Sequence, residues 1–224
     1  MTVLSATKAE AVYQELRSRI LEGSLPPGSG LDQKALADLY AISTTPIREA
    51  LRRLESEHLV VVRAHHGPRV APLSTEELRY LFAVRLELDP LAGRLAAEEA
   101  PLEEREAIAA LVRPSGDSTA ADRVTTNREF HRAIYGACGN PVLVQVLDSL
   151  WNRCDRYRFL LAEQDATQYG QEESEHADMA EALTRGDGDG LHRLLRQHVE
   201  HSYERLSGLA EAFTEAGTTT VARG

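Results

Sequence analysis

The amino-acid sequence predicts a mainly α-helical protein with two domains, at residues 1–72 and 73–213, followed by a flexible tail at 214–224. Apolar residues recur every three or four positions along most of the chain, which is the period of an amphipathic helix. The alternation typical of strands occurs only near residues 60–71. Charge divides the chain at the same place: residues 1–72 hold nine Lys and Arg against eight Asp and Glu, whereas the remaining 152 residues hold sixteen against twenty-seven.

The composition excludes several classes of protein. Of the 224 residues 42% are hydrophobic and 27% are charged, which is ordinary for a globular protein. No apolar run approaches the ~20 residues of a membrane span, and the N-terminus does not follow the pattern of a signal peptide. Cys138 and Cys154 are the only cysteines, too few for a disulfide framework. We therefore expect a cytoplasmic protein without a membrane partner, whose two thiols are buried apolar groups.

The first domain begins with two helices joined by a turn. Val12, Leu16 and Ile20 predict a first helix over residues 7–22, which Gly23 and the segment "LPPGSG" end. Asp32 is placed to cap a second helix, "QKALADLY". We expect that helix to turn three side chains inward, namely Ala35, Leu36 and Leu39.

A third helix begins at Ser43, its predicted N-cap, with Pro46 in the first turn, where a missing N–H breaks no helical bond. Its buried face is predicted by the spacing of four apolar residues: Ile47, Ala50, Leu51 and Leu54. Two short helices, a tight turn and a third helix with a polar start outline a helix-turn-helix. In that motif, the leading residues of the last helix enter the major groove of DNA.

Two short strands follow, around Val60 to Arg63 and Arg69 to Ala71, joined by "AHHGP" with Gly67 at the turn. A hairpin beside a helix-turn-helix is a wing. Four side chains give it a basic tip suited to phosphates or the minor groove: Arg63, His65, His66 and Arg69.

The arginines of the third helix allow two interpretations. Arg48, Arg52 and Arg53 lie outside its buried face and are placed to contact DNA. Alternatively, they form a solvated face paired with the helix's own acids, Glu49, Glu55 and Glu57.

The order of these pieces resembles the DNA-binding domain of GntR-type transcriptional regulators. The likeness covers "LPPGSGLDQKALADLYAISTTPIREALRRLESEHLVVVRAHHGPRV". In that family the pattern is roughly PG-x-x-L, then LA, then S-R-T-P-V-R-E-A-L-R-x-L-E, then a wing containing Gly. The resemblance implies that Thr44, Thr45 and Arg48 lie at the DNA, with His65 and Gly67 on the wing. Thr44 replaces a frequent arginine of the family; it is still able to donate to a phosphate or contact a thymine methyl group.

The second domain reads as a series of helices. Ser74 and Glu77 form an S-x-x-E capping box, and Pro90 marks an expected kink. Further helices are predicted at 102–112, 120–138, 141–163, 168–185 and 189–210. Arg85 lies on the inward stripe of the first of these helices and therefore needs an anionic partner. That partner is either Asp89, one turn later, or the carboxylate of a bound ligand.

Three histidines lie on the inward stripes of three different predicted helices: His131, His176 and His198. Asn127 precedes His131 by one turn and shares its face. Each histidine alone fits a hydrogen-bonded structural role, whereas together they fit a zinc or nickel site.

These segments resemble the all-helical effector domain of the FadR branch of GntR regulators, in its metal-binding, VanR-like (FCD) form. The likeness rests on "RLELDPLAGRLAAEEA", "NREFHRAIYGACGNPVL", "SEHADMAEALTRGD" and "HRLLRQHVEH". It implies a divalent ion held by Asn127, His131, His176 and His198, where the commoner first ligand is an aspartate. It also implies a small carboxylate effector that bridges the ion and Arg85.

Three hypotheses of function follow. The first is a homodimeric DNA-binding regulator, a repressor, that reads a pseudo-palindromic operator and senses a small carboxylate. The second is a small metal-dependent helical enzyme; Glu172, Glu173 and Glu175 near His176 are read as a solvated helix face rather than as its general base. The third is a DNA-binding regulator with neither metal nor effector.

Overall fold

The structure is a computed structural model that describes residues 2–63, 67–113, 118–161 and 169–221. It divides into two compact units, Met1–Leu73 and Ser74–Gly224. In the described part of the chain, the first unit contains α1 (Thr2–Leu21), α2 (Gln33–Leu39), α3 (Thr44–Ser56), β1 (Val60–Arg63) and β2 (Gly67–Val70). The second contains α4 (Thr75–Glu99), α5 (Leu102–Ala109), α6 (Ala120–Gly136), α7 (Pro141–Leu161), α8 (Tyr169–Arg185) and α9 (Gly188–Val221).

The core of the first unit lies between α1 and α3. Leu16 and Ile20 of α1 are buried with Ile47 and Leu54 of α3, as the apolar spacing predicts. Their burial removes apolar surface from water and holds α3 at a fixed angle to the rest of the unit.

The inward face of α2 differs from the prediction. The Asp32 side chain accepts a hydrogen bond from the Ala35 N–H and caps the helix as expected. Leu36 and Ala37 are the buried residues of α2, whereas Leu39 is 65% exposed and Ala35 is also exposed. A helix of only seven residues makes about two turns, so its apolar residues repeat too few times to define which side faces the core.

The wing is an antiparallel hairpin in which Val60 pairs with Val70 and Arg63 pairs with Gly67. Gly67 has a φ of 67°, a conformation that glycine adopts without strain. The Leu31 N–H donates to the Pro68 carbonyl, which fixes the segment before α2 against β2. The second strand, predicted at Arg69–Ala71, is observed at Gly67–Val70 and so begins two residues earlier.

The core of the second unit lies mainly between α4 and α9, onto which α6, α7 and α8 pack. Its buried apolar residues include Ala92, Ala96, Ile134, Trp151, Leu183, Leu191 and Leu195. All five helices predicted after the first are present, and their bounds lie within a few residues of the prediction except at the end of the last helix, predicted at 210. Helix α9 continues to Val221, past residue 214, where the sequence places the start of a tail.

Helix α4 runs from Thr75 to Glu99 without interruption, with Pro90 inside it. Proline lacks an N–H, so the carbonyl of Leu86, four residues earlier, loses its helical donor. Arg196 of α9 donates from Nη1 to that carbonyl over 3.3 Å. This replacement bond offsets part of the cost of a proline in mid-helix.

Helix α7 holds the start of α4. The Ser74 hydroxyl accepts from the Glu77 N–H, which is half of the predicted capping box. The Glu77 carboxylate does not return to Ser74 but accepts from Arg153, Arg156 and Tyr157 of α7. These charge-assisted bonds fix the first turn of the second unit to its bundle.

The helices in the described part of the chain lack the combination of length and apolar character that a membrane span requires.

Close packing between α4 and α9 generates a prediction at Gly93. A Cβ built there would overlap Leu195 Cδ1 and lie 3.3 Å from Leu191 Cγ. We expect Gly93→Leu to lower the free energy of unfolding of the second unit by ~1–3 kcal/mol, the usual cost of overpacking. Thermal and urea denaturation measure it. Gly208→Ala is the control: Gly208 is an exposed α9 residue with open space around it, so this change leaves stability equal or higher. Equal stability of both variants would contradict the close packing.

Candidate functional site

The start of α3 presents a polar face to solvent. Ser43, Thr44, Thr45, Arg48 and Arg52 are all exposed, on the side opposite the buried residues of α3. Ser43 occupies the N-cap position, as predicted, but its side chain makes no capping hydrogen bond. The exposed face therefore offers hydroxyl groups, guanidinium groups and the unpaired N–H groups of a helix N-terminus, all suited to phosphates and base edges.

The three arginines of α3 differ in their partners. Arg53 forms ion pairs with Glu10 of α1 and with Glu57, and its guanidinium lies 3.7 Å from the centre of the Tyr13 ring. In the described part of the chain Arg48 and Arg52 form no ion pair within 4.0 Å. The paired-face interpretation thus describes Arg53, whereas Arg48 and Arg52 keep their donors available.

Of the wing residues predicted to contact DNA, the structure describes Gly67 and the side chain of Arg69. Gly67 is exposed at the start of β2, and Arg69 donates from Nη1 to the Gly28 carbonyl over 3.0 Å. This bond uses part of Arg69 to hold the hairpin to the loop before α2. His65 and His66 lie outside the described residues, as does the side chain of Arg63.

In the second unit, α6, α8 and α9 bring together His131, His176 and His198, here called the histidine cluster. One ring nitrogen from each lies within 4.8 Å of the others. His131 Nε2 is 3.3 Å from His176 Nε2, and the rings of His131 and His198 stack with centroids 4.8 Å apart. His131 and His198 are fully buried.

Burial keeps all three imidazoles neutral. It lowers the pKa of His131 far below its usual value, and the neighbouring His198 and His176 lower it further. Burial, followed by His198, lowers the pKa of His176 to about 3, and burial also lowers the pKa of His198. A neutral imidazole has one nitrogen lone pair, which is the form that binds a metal ion.

Glu175 determines which nitrogen of His198 carries the proton. Burial raises the pKa of Glu175, but hydrogen bonds from His198 and His201 outweigh it and lower the value to about 2. The ionised carboxylate only accepts, so His198 donates from Nδ1 over 2.7 Å. Nε2 of His198 then carries the lone pair, and it is buried without a hydrogen-bond partner.

A second chain of hydrogen bonds fixes His131 in the same way. Arg85 donates from Nε and Nη2 to one oxygen of Asp89, and Tyr135 donates its hydroxyl proton to that oxygen over 2.9 Å. The Tyr135 oxygen, 3.2 Å from His131 Nδ1, is then left to accept from it. His131 therefore presents the lone pair of Nε2 toward His176. Of the two partners considered for Arg85, the structure contains Asp89.

Two of the three acidic residues near His176, Glu172 and Glu175, do not belong to a solvated face. The side chains of Glu172 and Glu175 are only 15% and 17% exposed. Glu172 lies 3.6 Å from a guanidinium nitrogen of Arg158 and 3.6 Å from one of Arg205. Periodicity within α8 gives no signal for this, because the partners of both acids lie on α7 and α9. The role of Tyr135 did have a signal, its position one turn after His131.

Asn127 lies beside the histidine cluster, one turn before His131 on α6. It is 6% exposed, and neither its amide oxygen nor its amide nitrogen has a hydrogen-bond partner. With His176 it lines a cavity of about 230 Å³. The remaining wall consists of Leu111, Val112, Arg113, Ser118, Arg123, Thr126, Phe130, Glu172 and Glu173.

These residues fit a divalent ion. Buried polar atoms almost always have a partner, so the bare His198 Nε2 and Asn127 amide oxygen indicate a ligand. Imidazole nitrogens together with one neutral oxygen suit a borderline ion such as zinc or nickel. The outer hydrogen bonds of Glu175 and Tyr135 are those that orient histidine ligands in metal sites.

Together, the winged helix-turn-helix and the helical bundle with a ligand cavity define a transcriptional regulator with a separate sensor domain. The chain belongs to the GntR family: residues 8–70 match "Bacterial regulatory proteins, gntR family" and residues 80–201 match "FCD domain". The predicted family and fold class are thereby confirmed, and the chain is a regulator rather than an enzyme.

Individual relatives agree with this assignment. The chain is 32% identical to the "Uncharacterized HTH-type transcriptional regulator BphR" of Paraburkholderia xenovorans, over 86% of this chain and 82% of that protein. It is 29% identical to the "HTH-type transcriptional repressor GlaR" of Escherichia coli, over 84% and 90%. The solved structure of McbR/YncC from E. coli superimposes with a TM-score of 0.72 at 25% identity, over 89% of this chain and 96% of that one.

The Arg85–Asp89 pair generates a prediction about stability. Both side chains are fully buried, so Arg85→Met leaves the Asp89 carboxylate without its cation. We expect the free energy of unfolding of the second unit to fall by ~3–5 kcal/mol. The double variant Arg85→Met, Asp89→Leu removes both charges and should recover at least about half of that loss. Urea denaturation of both proteins measures the difference. A near-neutral single variant would show that Arg85 is not a structural cation.

Proposed function

We propose that this protein represses transcription as a homodimer on a pseudo-palindromic operator, and that a small carboxylate bound beside a divalent ion in the helical unit releases it. Repression is supported by the relative GlaR, which is named a repressor. A dimer with two-fold symmetry carries two heads, which suits two inverted half-sites. A cytoplasmic location follows from this role.

The exposed face of α3 is proposed to read the operator. Thr44, Thr45 and Arg48 occupy the first turns of α3, the part of a recognition helix that meets base edges. Arg52, one turn after Arg48, and the hydroxyl of Ser43 would contact phosphates. On the wing, five residues are proposed to follow the backbone or the minor groove: Arg63, His65, His66, Gly67 and Arg69.

The observation that carries the sensor proposal is the convergence of three neutral imidazoles from three helices, with a ligand cavity beside them. We propose that His131, His176 and His198 hold zinc or nickel, with the Asn127 amide oxygen as a fourth donor. When bound, the ion supplies a Lewis-acidic position for a carboxylate oxygen. Glu175 and Tyr135 hold the histidine rings in the tautomer that this requires.

Arg85 was expected to grip the far end of the effector. Two of its donating nitrogens are used by Asp89, and Nη1 is the one without a hydrogen-bond partner. We propose that any effector contact of Arg85 is made through Nη1, and that its larger contribution is to hold Asp89 and Tyr135 in the chain that orients His131.

The DNA proposal is tested with Arg48→Ala. Arg48 is exposed and has no ion pair in the described part of the chain, so we expect an unchanged melting temperature. Affinity for an operator fragment selected with the wild-type protein should fall by a factor of ~10 or more, since one base contact supplies ~1–3 kcal/mol. Gel-shift titration measures it.

Arg53→Ala on the same helix is the control, because Arg53 is held by Glu10 and Tyr13. It should retain most of the operator affinity. An Arg48→Ala protein that binds its selected operator as tightly as the wild type would remove Arg48 from the interface.

The metal proposal is tested with His131→Ala. Protein purified without chelators should contain a divalent metal, and its melting temperature should fall on treatment with EDTA, because a ligand that binds only the folded state stabilises it. In His131→Ala we expect most of the metal and of the EDTA effect to be lost. His192→Ala, on α9 but outside the histidine cluster, is the control and should behave as the wild type. Elemental analysis that finds equal metal in the wild type and in His131→Ala would refute the site.

A further inference from the structure

The four residues that surround the proposed ion carry no negative charge. His131, His176 and His198, which lie close enough together to share an ion, bind a metal through a neutral imidazole nitrogen. Asn127 offers only a neutral amide oxygen, which is buried and has no hydrogen-bond partner. A divalent cation bound by this set alone would keep its full charge inside the helical bundle.

The ionised side chains packed around the histidine cluster do not supply the missing charge. Three arginines, Arg85, Arg158 and Arg205, balance three carboxylates, Asp89, Glu172 and Glu175, in net charge. Each carboxylate also has a fixed neighbour: Arg85 for Asp89, the two other arginines for Glu172, and His198 for Glu175. These six side chains therefore carry no net charge that could offset that of the ion.

The consequence is electrostatic. Burying an uncompensated charge costs several kcal/mol even after relaxation, and an anion in contact with the ion removes most of that cost. The cavity lined by Asn127 and His176 provides about 230 Å³ next to the cluster, where such an anion fits.

We infer that a carboxylate anion and the metal ion bind cooperatively in this protein, and that the neutral Asn127 sets this dependence. The inference rests on the proposed function and adds a rule of regulation to it. Cooperativity is reciprocal: the anion raises the affinity for the metal by the same factor by which the metal raises the affinity for the anion. Without the acid the protein binds its metal more weakly, and without the metal it binds the acid more weakly.

The test is a titration of zinc into the chelator-treated, full-length protein in chloride-free buffer. One series contains acetate, and a matched series contains acetamide, which has a similar shape and no charge. We expect acetate to tighten zinc binding by a factor of ~10 or more, within the usual range of coupling between sites, and acetamide to have little effect.

Two variants assign the effect to Asn127. Asn127→Asp introduces a built-in anion, so zinc should bind tightly without acetate, and the acetate effect should shrink to a factor of ~3 or less. Asn127→Ala removes the amide oxygen but not a charge, so its zinc binding weakens while the acetate effect persists. Calorimetry or competition with a metal indicator measures all three proteins.

The outcomes separate this inference from the proposed metal site. Zinc binding that requires His131 but is equal in acetate and acetamide overturns the inference and leaves the metal site standing. An acetate effect as large in Asn127→Asp as in the wild type would show that Asn127 does not set the dependence on the anion. Absence of zinc binding in every buffer overturns both the inference and the metal site.

Discussion

The helical unit depends on one constraint, that three imidazoles buried against one another must each satisfy two nitrogens. Burial makes the rings neutral, so each has one donor and one lone pair. The donors of His131 and His198 point outward to Tyr135 and Glu175, which leaves the Nε2 lone pairs directed inward. Asp89, held by Arg85, completes the outer chain. The charges of Asp89 and Glu175 thus orient the neutral imidazoles of His131 and His198.

The sequence predicts the parts of this arrangement that are local. Periodicity locates most helices within a few positions, with the end of α9 as the exception, and the bounds of α2 were also predicted. The seven residues of α2 are too few to define its inward face, and Leu39 was placed on the wrong side. Spacing within one helix pairs Arg85 with Asp89 but does not exclude a ligand. Glu172 and Glu175 were misread because their partners lie on other helices, at Arg158 and His198. No spacing rule joins His131 to residues 45 and 67 positions away. The inward stripes of three helices suggested that grouping, the family resemblance strengthened it, and the three side chains do converge.

The division of charge between the units fits a regulator that must be selective. Phosphates respond to the charges within about 8–10 Å, the screening length at physiological salt, so a net charge of −10 on the whole chain does not prevent DNA from approaching the exposed arginines of α3. The net charge of −11 on the other 152 residues opposes general adhesion to polyanions. Of the three α3 arginines, Arg53 is paired with Glu10 of α1, whereas Arg48 and Arg52 form no ion pair in the described part of the chain. Contact with DNA through the small exposed face of α3, as proposed, would favour specific over non-specific sites.

Helix α4 is the first helix of the bundle along the chain, and it is linked by hydrogen bonds to the histidine cluster. Its N-cap is Ser74, and Glu77 in its first turn is held by Arg153 and Tyr157 of α7. Asp89 lies on the same helix about four turns after Ser74. Asp89 reaches His131 through Tyr135, so both ends of this stretch are tied to hydrogen-bonded partners rather than to apolar contacts alone. Hydrogen bonds are directional and have few alternative geometries. The orientation of His131 is therefore tied through Tyr135 to Asp89, in the middle of α4.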